Sequence, residues 1–393
     1  MSLDFLIVGA GIGGAVLANL LSRAGKRVLV LEREATPQPI VRPEALWPAT
    51  VQFLETILPR DVLHQSALLP LRGLQINYGK SVLVRLSSDA FKTSGIQPFS
   101  SHGGQTRALL LRESNCDLER GIEVIGLLKE GKRVVGARVR STAGGAEREI
   151  SARWTVGDDG GHSIVRQECG IHMPTHTFPM EPLLFAPDWP AFLEPATAQI
   201  WVNPQRRRSG VYVMGVIPRP GGTGAGIIAL RPRLFDNPAG LERALQSFLN
   251  SDPRLADIVG SRRIPDGLMP VRLKWGHAER YGTDGAVLIG DAAHAVTPAG
   301  GQGANMAIAD ARVLADVVRA GASQLVQEYE SRRRAANERS LGISRWATRI
   351  ASLPDFFAAP FLPAALRIAR YFPKIAARGV RYASTAFLET SAQ

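Results

Sequence analysis

The N-terminal stretch constrains the fold of this chain more than any other segment. Phe5 to Val8 is a short apolar run that ends in Gly9-Ala-Gly11-Ile-Gly-Gly14, and the helical periodicity of Ala15 to Arg23 follows. A second apolar run extends from Arg27 to Glu32. A strand that meets G-x-G-x-x-G and then a helix is the entry to a βαβ unit whose helix N-terminus faces a pyrophosphate. Gly9 permits the tight turn, Gly11 lets phosphate oxygens approach the backbone, and Gly14 lets the helix lie close to the sheet. Glu32 ends the second strand about 20 residues on, where a carboxylate reaches both ribose hydroxyls of a dinucleotide.

That fingerprint does not separate NAD from FAD; a second region does. Ala286-Val-Leu-Ile-Gly290 reads as a buried strand that delivers Asp291 to a glycine-rich bend, where its carboxylate can accept hydrogen bonds from a polyol such as ribityl. The loop Pro298-Ala-Gly-Gly301-Gln-Gly303-Ala304-Asn305 opens a long helix, Ala304 to Ala320. The positive end of that helix would face the pyrimidine ring of a flavin, where negative charge gathers on reduction.

With Gly157-Asp-Asp-Gly-Gly-His-Ser163-Ile-Val-Arg166 between them, these segments resemble, in order, three motifs of the para-hydroxybenzoate hydroxylase-type (group A) flavoprotein monooxygenases. The resemblance runs through nearly the whole chain. It implies FAD as cofactor and NAD(P)H as reductant. It also implies hydroxylation of an aromatic or polyketide-like small molecule by O2 through a flavin C4a-hydroperoxide. Carried over residue by residue, it makes Glu32 the adenosine-ribose ligand, with Arg33 flanking the adenine. It sets Arg42 near the pyrophosphate and flavin, and Arg107 on a helix that touches the cofactor. Asp159 becomes the acidic residue of the Asp-Gly motif, with Arg166 supporting the turn, and Asp291 the ribityl contact. Pro298 and Gly301 shape the flavin loop, in which Gly303, Ala304 and Asn305 present backbone groups to the ring. Asp158 departs from the pattern, since many relatives have alanine there, and so does Arg42-Pro43-Glu44, which replaces a glycine-rich version.

The general base of the reaction has no signature. Tyr212, His102 and Arg272 are weak candidates for lining a substrate pocket, and His294, inside a packed bend, reads better as a support of the turn. Trp201, Trp275 and Trp346 do not form the paired-tryptophan motif of flavin halogenases. Rival readings within flavin chemistry are an epoxidase, a halogenase or an isoprenoid reductase; the rival outside it is a non-catalytic flavin-binding protein.

A net charge of +12 would raise nucleic acid as a partner, but the arginines are scattered. The clusters Arg206 to Arg208 and Arg332 to Arg334 lack interleaved aromatics and read as solvated faces. Cys116 and Cys169 have no metal-ligand spacing, so neither a metal site nor a disulfide framework is expected. No apolar run of about 18 residues is present, which leads to an expectation of a cytoplasmic protein.

The fold class expected is α/β: an FAD-binding, Rossmann-like three-layer domain from residues 1–70, 100–175 and 275–340. An antiparallel β-sheet substrate domain, 71–99 and 176–274, is inserted in it, and a helical segment, 341–393, completes the chain. Leu74 to Leu86 reads as a hairpin about Gly79-Lys80, and Ala198 to Pro232 as a meander. Arg367, Arg370, Lys374, Arg378 and Arg381 recur at helical intervals, a face able to lie on an anionic membrane. Packing onto the FAD domain is the favoured alternative.

Overall fold

The computed structural model describes residues 3–37, 42–262, 267–351 and 381–389. The largest sheet has eight strands. Its parallel part runs Ala286–Leu288, Arg148–Gly157, Leu3–Val8, Val28–Glu32, Asp117–Arg120, with Gly282–Thr283 antiparallel at one edge. Phe5 to Val8 and Val28 to Leu31 are buried throughout, as suits strands covered on both faces. One face carries the helix Ile12–Arg23, packed against the helices Gly103–Arg112 and Gly303–Arg319. On the other, Leu6, Leu29 and Leu31 meet Ala137 and Val139 of the hairpin Ile122–Glu130 and Arg133–Ser141, which turns at Gly131-Lys132. The unit therefore has three layers.

A second sheet of seven strands has the order Met269–Pro270, Glu181–Phe185, Gly224–Leu230, Val211–Pro218, Thr197–Val202, Gly73–Tyr78, Ser81–Leu86. The last two form the hairpin expected at Gly79-Lys80. Every pairing is antiparallel except that of Thr197–Val202 with Gly73–Tyr78, which is parallel. The exception arises because the chain returns to this sheet only after passing through the first. Helices Pro238–Leu249 and Pro253–Val259 cover one face through a core of Leu183, Phe185, Trp201, Met214 and Ile228.

The strand Glu44–Leu46 pairs with Phe99–Ser101, which also pairs Leu68–Pro70. Two expectations are corrected. The Arg206 cluster is a short helix, Arg206–Ser209, with Arg206 buried rather than solvated. In the second cluster Arg333 is fully buried, while Arg332 and Arg334 pair with Glu389 and Glu330. Consecutive residues on a helix point about 100° apart, so three arginines in a row cannot share one solvated face.

Arg367, Arg370, Lys374 and Arg378 lie outside the described residues, whereas Arg381 lies in a described helical stretch. Among the described residues no helix is long and apolar enough to cross a membrane. Burial raises the Cys169 thiol to about 11 and also raises Cys116, so neither is a reactive thiolate at neutral pH.

Candidate active site

The strand Leu3–Val8 runs into Gly9, whose φ is +99°. A Cβ at Gly9 would lie 2.4 Å from the Asp158 carbonyl oxygen, and one at Gly14 would lie 2.5 Å from the Gly9 oxygen. These close approaches are what the glycine spacing requires. The loop is braced from two sides at Ala10. Its N–H donates to Glu32 Oε2 at 3.0 Å, and its carbonyl accepts from Arg107 Nη1 at 3.3 Å. Asp158 Oδ2 accepts from the Gly14 N–H at 2.8 Å.

A second turn faces this loop. Gly290, at φ +57°, ends the buried strand and sets Asp291 at its mouth. Asp291 is open to the cleft yet deep between the layers. That burial pushes its carboxyl above the usual range, against Arg42 and His294, which pull it down. The bend is fixed from behind by Asp310, which is completely buried and accepts from the Gly290 N–H at 3.0 Å, His294 Nε2 at 2.5 Å, Arg333 Nε at 2.7 Å and Asn337 Nδ2 at 3.1 Å. His294 therefore supports the turn.

The loop Pro298 to Asn305 reverses through Gly300 and Gly301, both at positive φ, and enters the helix Gly303–Arg319. Gln302 gives this helix no side-chain cap, so the N–H groups of Gly303, Ala304 and Asn305 lack intrahelical acceptors. The buried Asn305 side chain is a brace: Oδ1 accepts from the Trp47 N–H and Thr50 hydroxyl, and Nδ2 donates to the carbonyls of Ala45 and Gly301. The loop is thus fastened to the strand Glu44–Leu46.

At that strand the two sheets meet. Arg219 ends the strand Val211–Pro218, is 5% exposed, and donates to the Arg42 carbonyl across 177 residues of sequence. Burial raises the Glu44 carboxyl, opposed by Arg219, Arg107 and Arg42 around it. His102 caps the helix Gly103–Arg112 by accepting from the Gln105 N–H, and burial and Arg219 lower its pKa.

The structure brings Gly9, Gly11, Gly14, Glu32, Arg107, Asp291 and the loop from Pro298 to Asn305 around one cleft, with Arg42 and His102 at its junction with the second sheet. Arg33 lies farther out, exposed beside Glu34. Asp159 turns inward, where Oδ2 accepts from the Val165 N–H at 3.1 Å. Arg166 supports that turn through the carbonyls of Ala292 and Gly161. Arg272 is exposed and pairs with Asp236 and Glu181. Tyr212 packs beside Phe178, Met180 and Leu273. Sequence reasoning missed Glu44 and Arg219. The unusual Arg42-Pro43-Glu44 context was a signal for the first, and nothing local marks the second.

The cleft suits FAD. The glycine loop is a cradle that side chains would fill, and Arg107 Nε and Gln302 Oε1 are buried atoms without a hydrogen-bond partner among the described residues. The FAD-binding domain family matches residues 2–342. A 3-(3-hydroxy-phenyl)propionate/3-hydroxycinnamic acid hydroxylase of Burkholderia cenocepacia is 28% identical over 93% of this chain and 67% of its own length. A 12-dehydrotetracycline 5-monooxygenase/anhydrotetracycline 6-monooxygenase of Streptomyces rimosus is 29% identical over 85% of this chain and 67% of its own. The chain thus spans about two thirds of the length of these relatives. The fold is shared with the crystal structure of a p-nitrophenol 4-monooxygenase from Pseudomonas putida, at a TM-score of 0.83 and 19% identity over 99% of both chains. With the glycine loop, the Asp291 bend and the loop ending at Asn305 all in place, the chain belongs to the FAD-binding domain family of para-hydroxybenzoate hydroxylase-type monooxygenases and is an FAD-dependent oxidoreductase.

Proposed function

We propose that this chain is a single-component monooxygenase in which FAD, reduced by NAD(P)H, uses O2 to hydroxylate an aromatic or polyketide-like ring that carries no charge. The observation that carries this reading is the junction at Arg219. Beside the flavin-facing loop, a strand of the second sheet ends on Arg42 and Glu44. The face of that sheet opposite its helices presents Ile76, Ile200, Val213, Ile217 and Ile227 by strand alternation, with no charged side chain on its strands. Such a face favours an apolar ring and helps to exclude water. The names of the relatives, a 3-(3-hydroxy-phenyl)propionate hydroxylase and a 12-dehydrotetracycline/anhydrotetracycline monooxygenase, agree with a ring substrate.

In this reading the backbone at Gly9 and Gly11 receives the diphosphate, Gly14 lets the helix lie close beneath it, Glu32 holds a ribose, and Asp291 the ribityl chain. Bound flavin supplies the redox chemistry. The free N–H groups of Gly303 to Asn305 would favour its reduced form, and Arg219 ties the second sheet to the Arg42 carbonyl near that loop. Asp291→Ala is expected to raise the FAD dissociation constant about tenfold, the worth of one or two polyol hydrogen bonds, as read by flavin fluorescence. Arg219→Met should leave FAD affinity within about twofold while lowering substrate-stimulated NAD(P)H oxidation about tenfold or more, since it breaks the junction and not the cofactor groove.

A panel of neutral and carboxylated phenols tests the proposal. Neutral rings should accelerate NAD(P)H oxidation most; if no ring does, the isoprenoid, halogenase and non-catalytic readings take precedence.

A further inference from the structure

Asp158 is the residue of the Asp-Gly motif that departs from the alanine common in the family, and its position gives that departure a consequence. It follows the strand Arg148–Gly157, and its N–H donates to the Val8 carbonyl at 2.8 Å, so its backbone is held against the first strand. Its side chain reaches into the glycine loop. Oδ2 takes the Gly14 N–H, and a Cβ at Gly11 would lie 2.4 Å from the same oxygen. Oδ1 lies 2.9 Å from the corresponding point at Gly13 and 3.1 Å from that at Gly290. The carboxyl therefore occupies the start of the helix Ile12–Arg23, where a diphosphate would also seek N–H donors and the positive end of the dipole.

We propose that Asp158 sets the FAD affinity of this protein: its carboxyl must be neutral when the diphosphate binds, so that once it ionises in the FAD-free protein, FAD binding takes up one proton and weakens as pH rises. A neutral carboxyl keeps the Gly14 bond through its carbonyl oxygen and adds a hydroxyl donor. An ionised one keeps the bond but places a negative charge beside a dianion in a site poorly screened by water.

The charged groups around Asp158 point the same way. Burial raises its carboxyl well above the usual range. The Gly14 N–H opposes this, and Asp291, Asp159 and Asp310 add to it from the neighbouring bends and the helix Gly303–Arg319. Arg107, from the helix Gly103–Arg112, is a cation that feels Asp158. A bound diphosphate raises the Asp158 pKa further. The sign follows by linkage: affinity is fully present below the pKa of the FAD-free protein and is lost as pH rises through it.

The proposal rests on FAD occupying the glycine loop, and its test reads binding rather than turnover. FAD is titrated into the FAD-free protein from about pH 5 to about pH 9 and followed by flavin fluorescence quenching. For the native sequence the dissociation constant should climb by up to about tenfold per pH unit once Asp158 ionises. Asp158→Asn, which keeps an acceptor for Gly14, and Asp158→Ala, which does not, should both lose the slope and bind more tightly at the alkaline end. A merely structural Asp158 would lower the melting temperature of both variants and leave the slope in place, which would overturn the proposal, as would a flat profile for the native sequence. A native protein that binds no FAD at any pH would contradict the cofactor assignment itself and remove the proposal with it.

Discussion

Replacing Asp310 with alanine is expected to destabilise the protein by about 3–5 kcal/mol, the cost of breaking a buried ion pair by removing one partner. The carboxylate satisfies His294 and Arg333, which are 1% and 0% exposed, as well as Asn337 and the Gly290 N–H. Without it a guanidinium is left uncompensated in the core, and the bend that presents Asp291 loses its anchor. FAD retention should fall together with stability, as chemical denaturation and flavin release on gel filtration would show. Burial alone would raise Asp310, but His294 and Arg333 outweigh it and hold the carboxyl well below the usual range. The stabilisation by its charge is therefore complete above the unfolded-state pKa of about 4 and is lost as pH falls toward the folded value. The stability gap between the native sequence and Asp310→Asn should accordingly shrink below about pH 4. A gap that stays constant to lower pH would show that the charge on Asp310 is not what holds the bend.

Gly9→Ala is expected to raise the FAD dissociation constant about 100-fold or more, from the loss of two phosphate hydrogen bonds of about 1.5 kcal/mol each. The φ of +99° is costly for any side chain, about 1–3 kcal/mol. The added Cβ would also meet the Asp158 carbonyl oxygen at 2.4 Å. That oxygen cannot retreat, because Asp158 is bonded to Val8 across the parallel pair that begins at Leu3 and Ala152. The loop must therefore move away from the helix start it shapes. A comparison of fluorescence titrations for Gly9→Ala and the native sequence checks this, and equal affinities would mean that the loop is not where the diphosphate sits.

The βαβ unit was legible because its apolar runs are short, uninterrupted and closed by glycines, a pattern with few other structural solutions. The hairpin at Gly79-Lys80 was legible for similarly local reasons. The strand Arg148–Gly157, which joins both parallel halves of the large sheet, was not recognised. Its first half alternates, pairing antiparallel with Arg133–Ser141, and only its end is buried on both faces. Glu44–Leu46 is three residues long between Pro43 and Pro48, too short for a period. Arg333 could have been found: Tyr329, Ala336, Asn337, Ser340 and Leu341 share its helical stripe, and all are buried. Arg219 could not, because its contact with Arg42 spans 177 residues and depends on how the two sheets meet.

Coupling of FAD reduction by NAD(P)H to insertion of oxygen into a neutral ring is the activity proposed for this chain. Its most direct test is turnover of the FAD-loaded protein under oxygen-18 gas, with a neutral phenol that stimulates NAD(P)H oxidation, followed by mass spectrometry of the product. One atom of the heavy isotope in the ring hydroxyl is the result expected. A product formed at the same rate without the label, or NAD(P)H consumed with all of the oxygen recovered as hydrogen peroxide whatever ring is offered, would contradict it.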